Sequence, residues 1–382
     1  MAKVYMVAAE PSGDVLAAEV IDELRALQPD IEIVGIGREA MAERGIVSPI
    51  DTTPLSIVGI FDGLKVYGTV LKLVDAATEA IIEAAPDAVV LVDSWGFMVR
   101  VAERVRARVP QIKLIKLVGP QVWATRAGRA KKLAAKVDHL ICIHHMEAPF
   151  YEPHGLPVTV MGNPALQRAE KGDGARYRKA AGIADDAEIL LVLPGSRGSE
   201  LRRVSPTLVE AAAQIKAERP QIEVVFAPAP SIRDGFLAAN PEIETIGRVA
   251  AVDANQADLM SAATLALACS GTVTSELAVQ GTPFLVGYKA GWLTWAVARF
   301  ILFKPDHITL LNIAADDTEI APEFVQTKFT PANLAGKALG LLSDRSALNA
   351  QVDAQNKALS RMAGEGDEKA QLIAAKAILA AL

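Results

Sequence analysis

The sequence predicts an α/β protein made of two doubly wound parallel sheets. Apolar runs of strand length recur along the chain, each followed by a helical pattern: VYMVAA, IEIVGIG, AVVLVD, KLIKLVG and HLICIH, then ILLVLPG, EVVFAPA, TLALACS and PFLVGY. Such alternation is the signature of parallel strands with helices on both faces. Between HLICIH and ILLVLPG the texture turns polar and glycine-rich, QRAEKGDGARYRKAAG, which places a domain junction near residues 163 to 175. A length of 382 residues also exceeds what one core usually serves. We expect domains over residues 1–165 and 166–359, with a ligand cleft between them at the carboxyl ends of the strands.

The elements follow in order. VYMVAAEPSGDVLAAEVIDEL, residues 4 to 24, reads as a buried strand, a Pro-Ser-Gly turn and an amphipathic helix. That geometry suits anions, because a helix start offers unpaired N–H groups. Glu10 and Asp14 would repel a phosphate, however, and the G-x-G-x-x-G spacing is absent, so the loop reads as built for hydroxyls. ILLVLPGSRGSELRR opens the second half with a strand, a glycine turn and a helix. Gly195 and Gly198 let backbone approach, Ser196 can donate, and Arg197 offers a fork of donors for phosphate oxygens. LALACSGTVTSELAVQGTPFLVGY repeats the design: Ser270, Gly271 and Thr272 sit where a strand meets a helix, and Glu276 one turn on can accept from two ribose hydroxyls. Ser270 fits an N-cap as well. Together the two loops point to a nucleotide-sugar donor. The last fifty residues show no strand pattern, and a helix over about 360–382 is expected to cross back onto the first domain.

Composition removes several classes. Hydrophobic residues are 51% and charged residues 22%, which excludes a disordered chain, and a net charge of -6 leaves no footprint for nucleic acid. Cys142 and Cys269 lie in apolar strand patterns, and the five histidines form no metal or triad spacing; His139, His144 and His145 straddle a strand end. Neither a metal nor a cofactor is expected. The first apolar run ends at once in Glu10, without a signal peptide's basic and hydrophobic segments, so a cytoplasmic protein is expected. No uncharged apolar run reaches the ~18 residues of a spanning helix, which leaves peripheral contact with a membrane. Residues 55 to 74 and 290 to 303 mix aromatics with flanking lysines, as interfacial segments do, and buried core helices have the same look.

AEPSGD, GSR, SGTVTSELAVQGTP and PEFVQ, in that order, resemble the lipid-A-disaccharide synthase family, with matching segments along almost the whole chain. The resemblance implies a GT-B glycosyltransferase of two Rossmann-like domains, the N-terminal one for the acceptor and the C-terminal one for the UDP-sugar. The reaction it implies joins UDP-2,3-diacylglucosamine to 2,3-diacylglucosamine 1-phosphate with inversion, giving the β-1,6-linked disaccharide and UDP without a metal. Association with the cytoplasmic face of the inner membrane and a homodimer come from the same source. Two other readings stand beside it: another UDP-N-acetylglucosamine enzyme of this fold, and a nucleotide-sugar or lipid binding protein without turnover.

The resemblance also implies roles for single residues. Asp93, just past a strand end, takes the place of the family's proposed catalytic aspartate, and an inverting attack by a hydroxyl needs such a base; an N-cap for a helix beginning near Phe97 is the structural alternative. The residues after it, Ser94 to Met98, depart from the family's Asp-Ala-Pro-Asp-Phe-Asn. Ser12, Gly13 and Asp14 resemble the family's Ser-Gly-Asp and would face the acceptor. In VGPQVWATRAGR, Trp123 would line the cleft and Arg126 meet a phosphate, although Arg126, Arg129, Lys131, Lys132 and Lys136 also suit a wet helix face. In MGNP, Asn163 stands where the family has histidine.

Overall fold

A computed structural model describes residues 2–56, 63–292, 295, 305–364 and 368–382; in residues 56 and 63–67 the backbone alone is described. The chain divides into two compact units, Met1–Gln167 with Met362–Leu382, and Arg168–Arg361. The first holds a six-stranded parallel sheet of β1 (Lys3–Ala8), β2 (Glu32–Ile36), β3 (Ala88–Val92), β4 (Lys113–Leu117), β5 (His139–Cys142) and β6 (Val158–Val160), in the order β2-β1-β3-β4-β5-β6. The second holds β7 (Ile189–Leu193), β8 (Glu223–Phe226), β9 (Arg248–Val249), β10 (Leu265–Cys269), β11 (Phe284–Tyr288) and β12 (Glu323–Val325), in the order β12-β11-β10-β7-β8-β9.

Strands buried on both faces need apolar side chains at every position. All five residues of β3 are fully buried, and each Val or Leu so placed contributes ~1.5–3 kcal/mol. Alternation divides the first unit's core into two layers. Tyr5, Val7, Val89 and Leu91 face the helices Gly63–Ala84 and Trp95–Arg108 through Ile81, Val101 and Val105. Val4, Met6, Val90 and Ile115 face the helices Pro11–Leu27 and Ala370–Ala381 through Ile21, Leu24, Ala374 and Ile378. The final helix thus belongs to the first unit, where its small alanines allow close approach to Ala17 and Ala18.

MGNP serves that return of the chain. Gly162 has φ +84, and a side chain there would meet the Ala363 carbonyl at 1.9 Å. The Asn163 N–H donates to the Met362 carbonyl at 2.9 Å, and its side-chain oxygen accepts from Ala165 N–H at 3.0 Å. PEFVQ is another brace, inside the second unit. Glu323 accepts from the N–H groups of Ile308 and Thr309, both at 2.8 Å, and from the Asn312 amide at 2.9 Å. Gln326, at φ +54, accepts from Ala290 N–H at 2.8 Å.

Candidate active site

In each sheet the strand order reverses at one place, between β1 and β3 and between β7 and β10. Loops leaving adjacent strands there part toward opposite faces and open a crevice at the carboxyl edge. In the second unit that crevice is a cavity of about 350 Å³. Gly195, Ser196 and Arg197 line it from the end of β7, and Ser270, Gly271, Thr272 and Glu276 from the end of β10.

The glycine turn after β7 holds an anion of its own. Glu200 is buried, and one carboxylate oxygen accepts from Ser196 N–H at 2.8 Å and Arg197 N–H at 3.2 Å. Gly195 has φ +111, and an added Cβ would lie 2.5 Å from that same oxygen. These two N–H groups are therefore committed to the protein, and the Arg197 guanidinium is what remains for a ligand. Its side chain is 78% exposed and touches Glu200 only at 3.4 Å. Arg233, which no sequence pattern marked, lines the cavity as a second cation. Across the cavity Gly271 has open space around it, and Thr274 donates to the Gly271 carbonyl at 2.8 Å, which fixes the turn. Desolvation raises the carboxyl pKa of Glu276. The arrangement sets two cations and several hydroxyls over an apolar floor of Leu193 and Cys269, which suits a nucleoside diphosphate.

At the reversal in the first unit, Asp93 and Ser94 leave β3 in the left-handed region, at φ +49 and +40. Two such non-glycine residues in succession cost about 1–3 kcal/mol each, and strain of this kind gathers at functional sites. The sharp exit starts the helix at Trp95, two residues before Phe97, with Ser94 at the N-cap. Ser94 spends its hydroxyl elsewhere, donating to Glu10 at 2.6 Å and tying the β3 loop to the β1 loop. Gly13 packs beside Asp93, where an added Cβ would lie 3.8 Å from the Asp93 Cβ. Ser12 is exposed at the start of its helix. Asp14 is buried, its two oxygens accepting from Arg38 N–H at 2.7 Å and Ala40 N–H at 2.8 Å, so it braces the segment after β2.

Trp123 is half-buried after β4, and Arg126, at φ +52, is exposed. Arg129 stacks its guanidinium 5.4 Å from the ring centroid of Trp95, the second residue after Asp93. Burial, reinforced by Arg126, lowers the Arg129 pKa. His139 pairs with Thr159 at 2.8 Å, as a structural histidine does. Among the described residues no three His, Cys, Asp or Glu side chains converge as a metal site.

The family model described as lipid-A-disaccharide synthetase matches residues 4–378. The chain belongs to this family. A lipid-A-disaccharide synthase of Rhodospirillum centenum is 36% identical over 384 residues, covering 98% of this chain and 94% of that relative. One from Ruegeria pomeroyi is 33% identical over 389 residues, covering 99% and 94%. Among solved structures, a putative UDP-N-acetylglucosamine 2-epimerase from Listeria monocytogenes superposes with a TM-score of 0.60 at 17% identity, covering 99% of this chain and 95% of that one. A glycosyltransferase from Rickettsia africae gives 0.57 at 12% identity, covering 100% and 97%. The fold is that of the GT-B glycosyltransferases, and this family member is a glycosyltransferase, a lipid-A-disaccharide synthase.

Proposed function

We propose that the second unit holds UDP-2,3-diacylglucosamine and the first unit holds 2,3-diacylglucosamine 1-phosphate, with Asp93 as the base. The acceptor's 6-hydroxyl attacks the anomeric carbon, its proton passes to Asp93, and the bond to UDP breaks with inversion. Arg197 and Arg233 face the charge that grows on the departing diphosphate, and such preorganised charge lowers the barrier. Ser270 to Thr272 offer hydroxyls and N–H groups to the same diphosphate, and Glu276 accepts from the ribose. On the first unit Ser12 and Trp123 meet the acceptor sugar, and Arg126 its phosphate. The observation that carries this reading is the cavity at the β7/β10 reversal in a chain of this family.

The acyl chains of both substrates call for apolar contact with a bilayer. No helix of the described residues is long and apolar enough to cross one, so the contact we propose is peripheral. The decisive assay measures UDP release with and without the phosphorylated acceptor. Acceptor-dependent release is expected; release of UDP from the donor alone, or epimerised sugar, would favour the epimerases of this fold. Asp93→Asn should keep UDP affinity and lose about 100-fold or more in turnover, and near-normal turnover would remove the base.

A further inference from the structure

One charged side chain lies inside the first sheet with no part in binding. Lys116 sits in β4 among apolar neighbours and is 1% exposed. Its ammonium donates to the main-chain carbonyls of Asp93 at 2.5 Å, Leu91 at 3.0 Å and Leu117 at 3.2 Å. Three acceptors around one nitrogen match the three protons of an ammonium and leave nothing to donate to a neutral amine's lone pair. Burying a charge is costly unless it is paired. Burial accordingly pushes the Lys116 pKa down to about 7, against the attraction of the Asp93 and Glu10 carboxylates.

The position of this charge is specific. The shortest of its bonds reaches the residue whose backbone is left-handed, and the Asp93 N–H is held in turn by the Leu117 carbonyl at 2.9 Å. Asp93 is therefore gripped at both ends of its backbone by β4, while Ser94 is gripped through its side chain by Glu10. A left-handed aspartate that nothing restrains would relax to the extended or right-handed region and swing its carboxylate away. We infer that Lys116 is the positioning residue of this active site: its buried ammonium holds the strained Asp93 turn so that the carboxylate points at the acceptor hydroxyl.

The inference rests on Asp93 as the base, and a double-variant cycle separates the two. Lys116→Met keeps length and apolar volume while removing every donor. Single-turnover rates, UDP calorimetry and thermal melts are measured for Lys116→Met, Asp93→Asn and the pair. The expected result is a fall of about 10- to 100-fold in turnover for Lys116→Met, as misplacement of a reacting group by ~1 Å gives. UDP affinity should stay within about twofold, and the double variant should be no slower than Asp93→Asn alone. A Lys116→Met rate within twofold of the parent, with Asp93→Asn inactive, would overturn the inference and leave the base in place. The same slowing by Lys116→Met in the Asp93→Asn background would also overturn it, because a positioning residue cannot act when its client is gone. Near-normal turnover in Asp93→Asn would instead remove the base, and the inference with it. Should Lys116→Met not fold, Lys116→Leu, which likewise removes every donor to the Asp93 carbonyl, replaces it with the same expected fall. A chain that folds with neither would make Lys116 a determinant of folding alone and refute the positioning role.

Discussion

Glu200 offers a sharp test of how the donor loop is built, because a carboxylate beside a phosphate site ought to weaken it. Glu200→Ala removes two backbone hydrogen bonds, at 2.8 and 3.2 Å, from an ionised acceptor. Bonds of that kind are worth ~1.5–3 kcal/mol each, and water at the cavity rim returns part of the loss. If about half of the minimal pair is lost, ~1.5 kcal/mol, the loop carrying Arg197 becomes roughly tenfold harder to present. Removing the negative charge acts in the opposite direction. At the effective dielectric of about 20 that suits a buried carboxylate, one phosphate charge ~6 Å away is repelled by ~2.8 kcal/mol, the same order as the bracing. Glu200→Gln separates the two, because it sheds the charge but keeps one acceptor oxygen. Calorimetry should find UDP bound about three- to tenfold more weakly by Glu200→Ala than by Glu200→Gln. Equal UDP affinity in the two variants would show that the two N–H groups need no brace, and the account of the loop would fail.

Two further outcomes are expected. Burial pushes the carboxyl pKa of Glu147 up to about 7, although it accepts from His144 N–H at 2.9 Å and Ile143 N–H at 3.2 Å. The folded state thus keeps a proton that the unfolded chain releases above its ordinary 4.5, so this stabilisation is full below about pH 4.5 and lost as pH rises through about 7. Urea melts at pH 5 and pH 8 should show Glu147→Gln escaping up to ~3 kcal/mol of that loss; His144, pushed down to about 4 by burial and by His145, cancels in the comparison at equal pH. A parent and variant that lose stability equally would refute the assignment. The second outcome concerns the bilayer. Ile57, Ile60 and Phe61, and the side chains of Lys65 and Val66, lie outside the described residues, whereas Lys72 is exposed and Trp292 is 66% exposed. A double change of Ile60 and Phe61 to serine should reduce co-sedimentation with anionic vesicles and leave UDP affinity intact, and parental sedimentation would place the contact elsewhere.

Sequence by itself determined the α/β class and nine of the strands, because a strand covered on both faces must be apolar throughout and so stands out as a run. The strands it left unread, β6, β9 and β12, are edge strands of two or three residues. Their half-exposed side chains carry no such run. The same local logic found Gly195, Ser196, Arg197, Ser270, Gly271, Thr272 and Glu276, since a strand, a small-residue turn and a helix are contiguous in the chain; the structure brings all seven to one cavity.

Only the tertiary structure decided what each polar group does there. Asp14 looks like a site acid in sequence and Glu200 carries no mark there, yet each is consumed by N–H groups that the folded loops would otherwise bury without partners. Arg233 reaches the cavity from beyond β8, and Arg129 reaches Trp95 from a different helix, so neither has a local signature. Lys116 is the clearest case. In KLIKLVG it is a polar residue interrupting a strand, and its meaning depends on the carbonyls of Leu91 and Asp93 in the neighbouring strand and its turn. A hydrogen bond between residues more than twenty positions apart is a property of the packed sheet, and periodicity along the chain carries no trace of it.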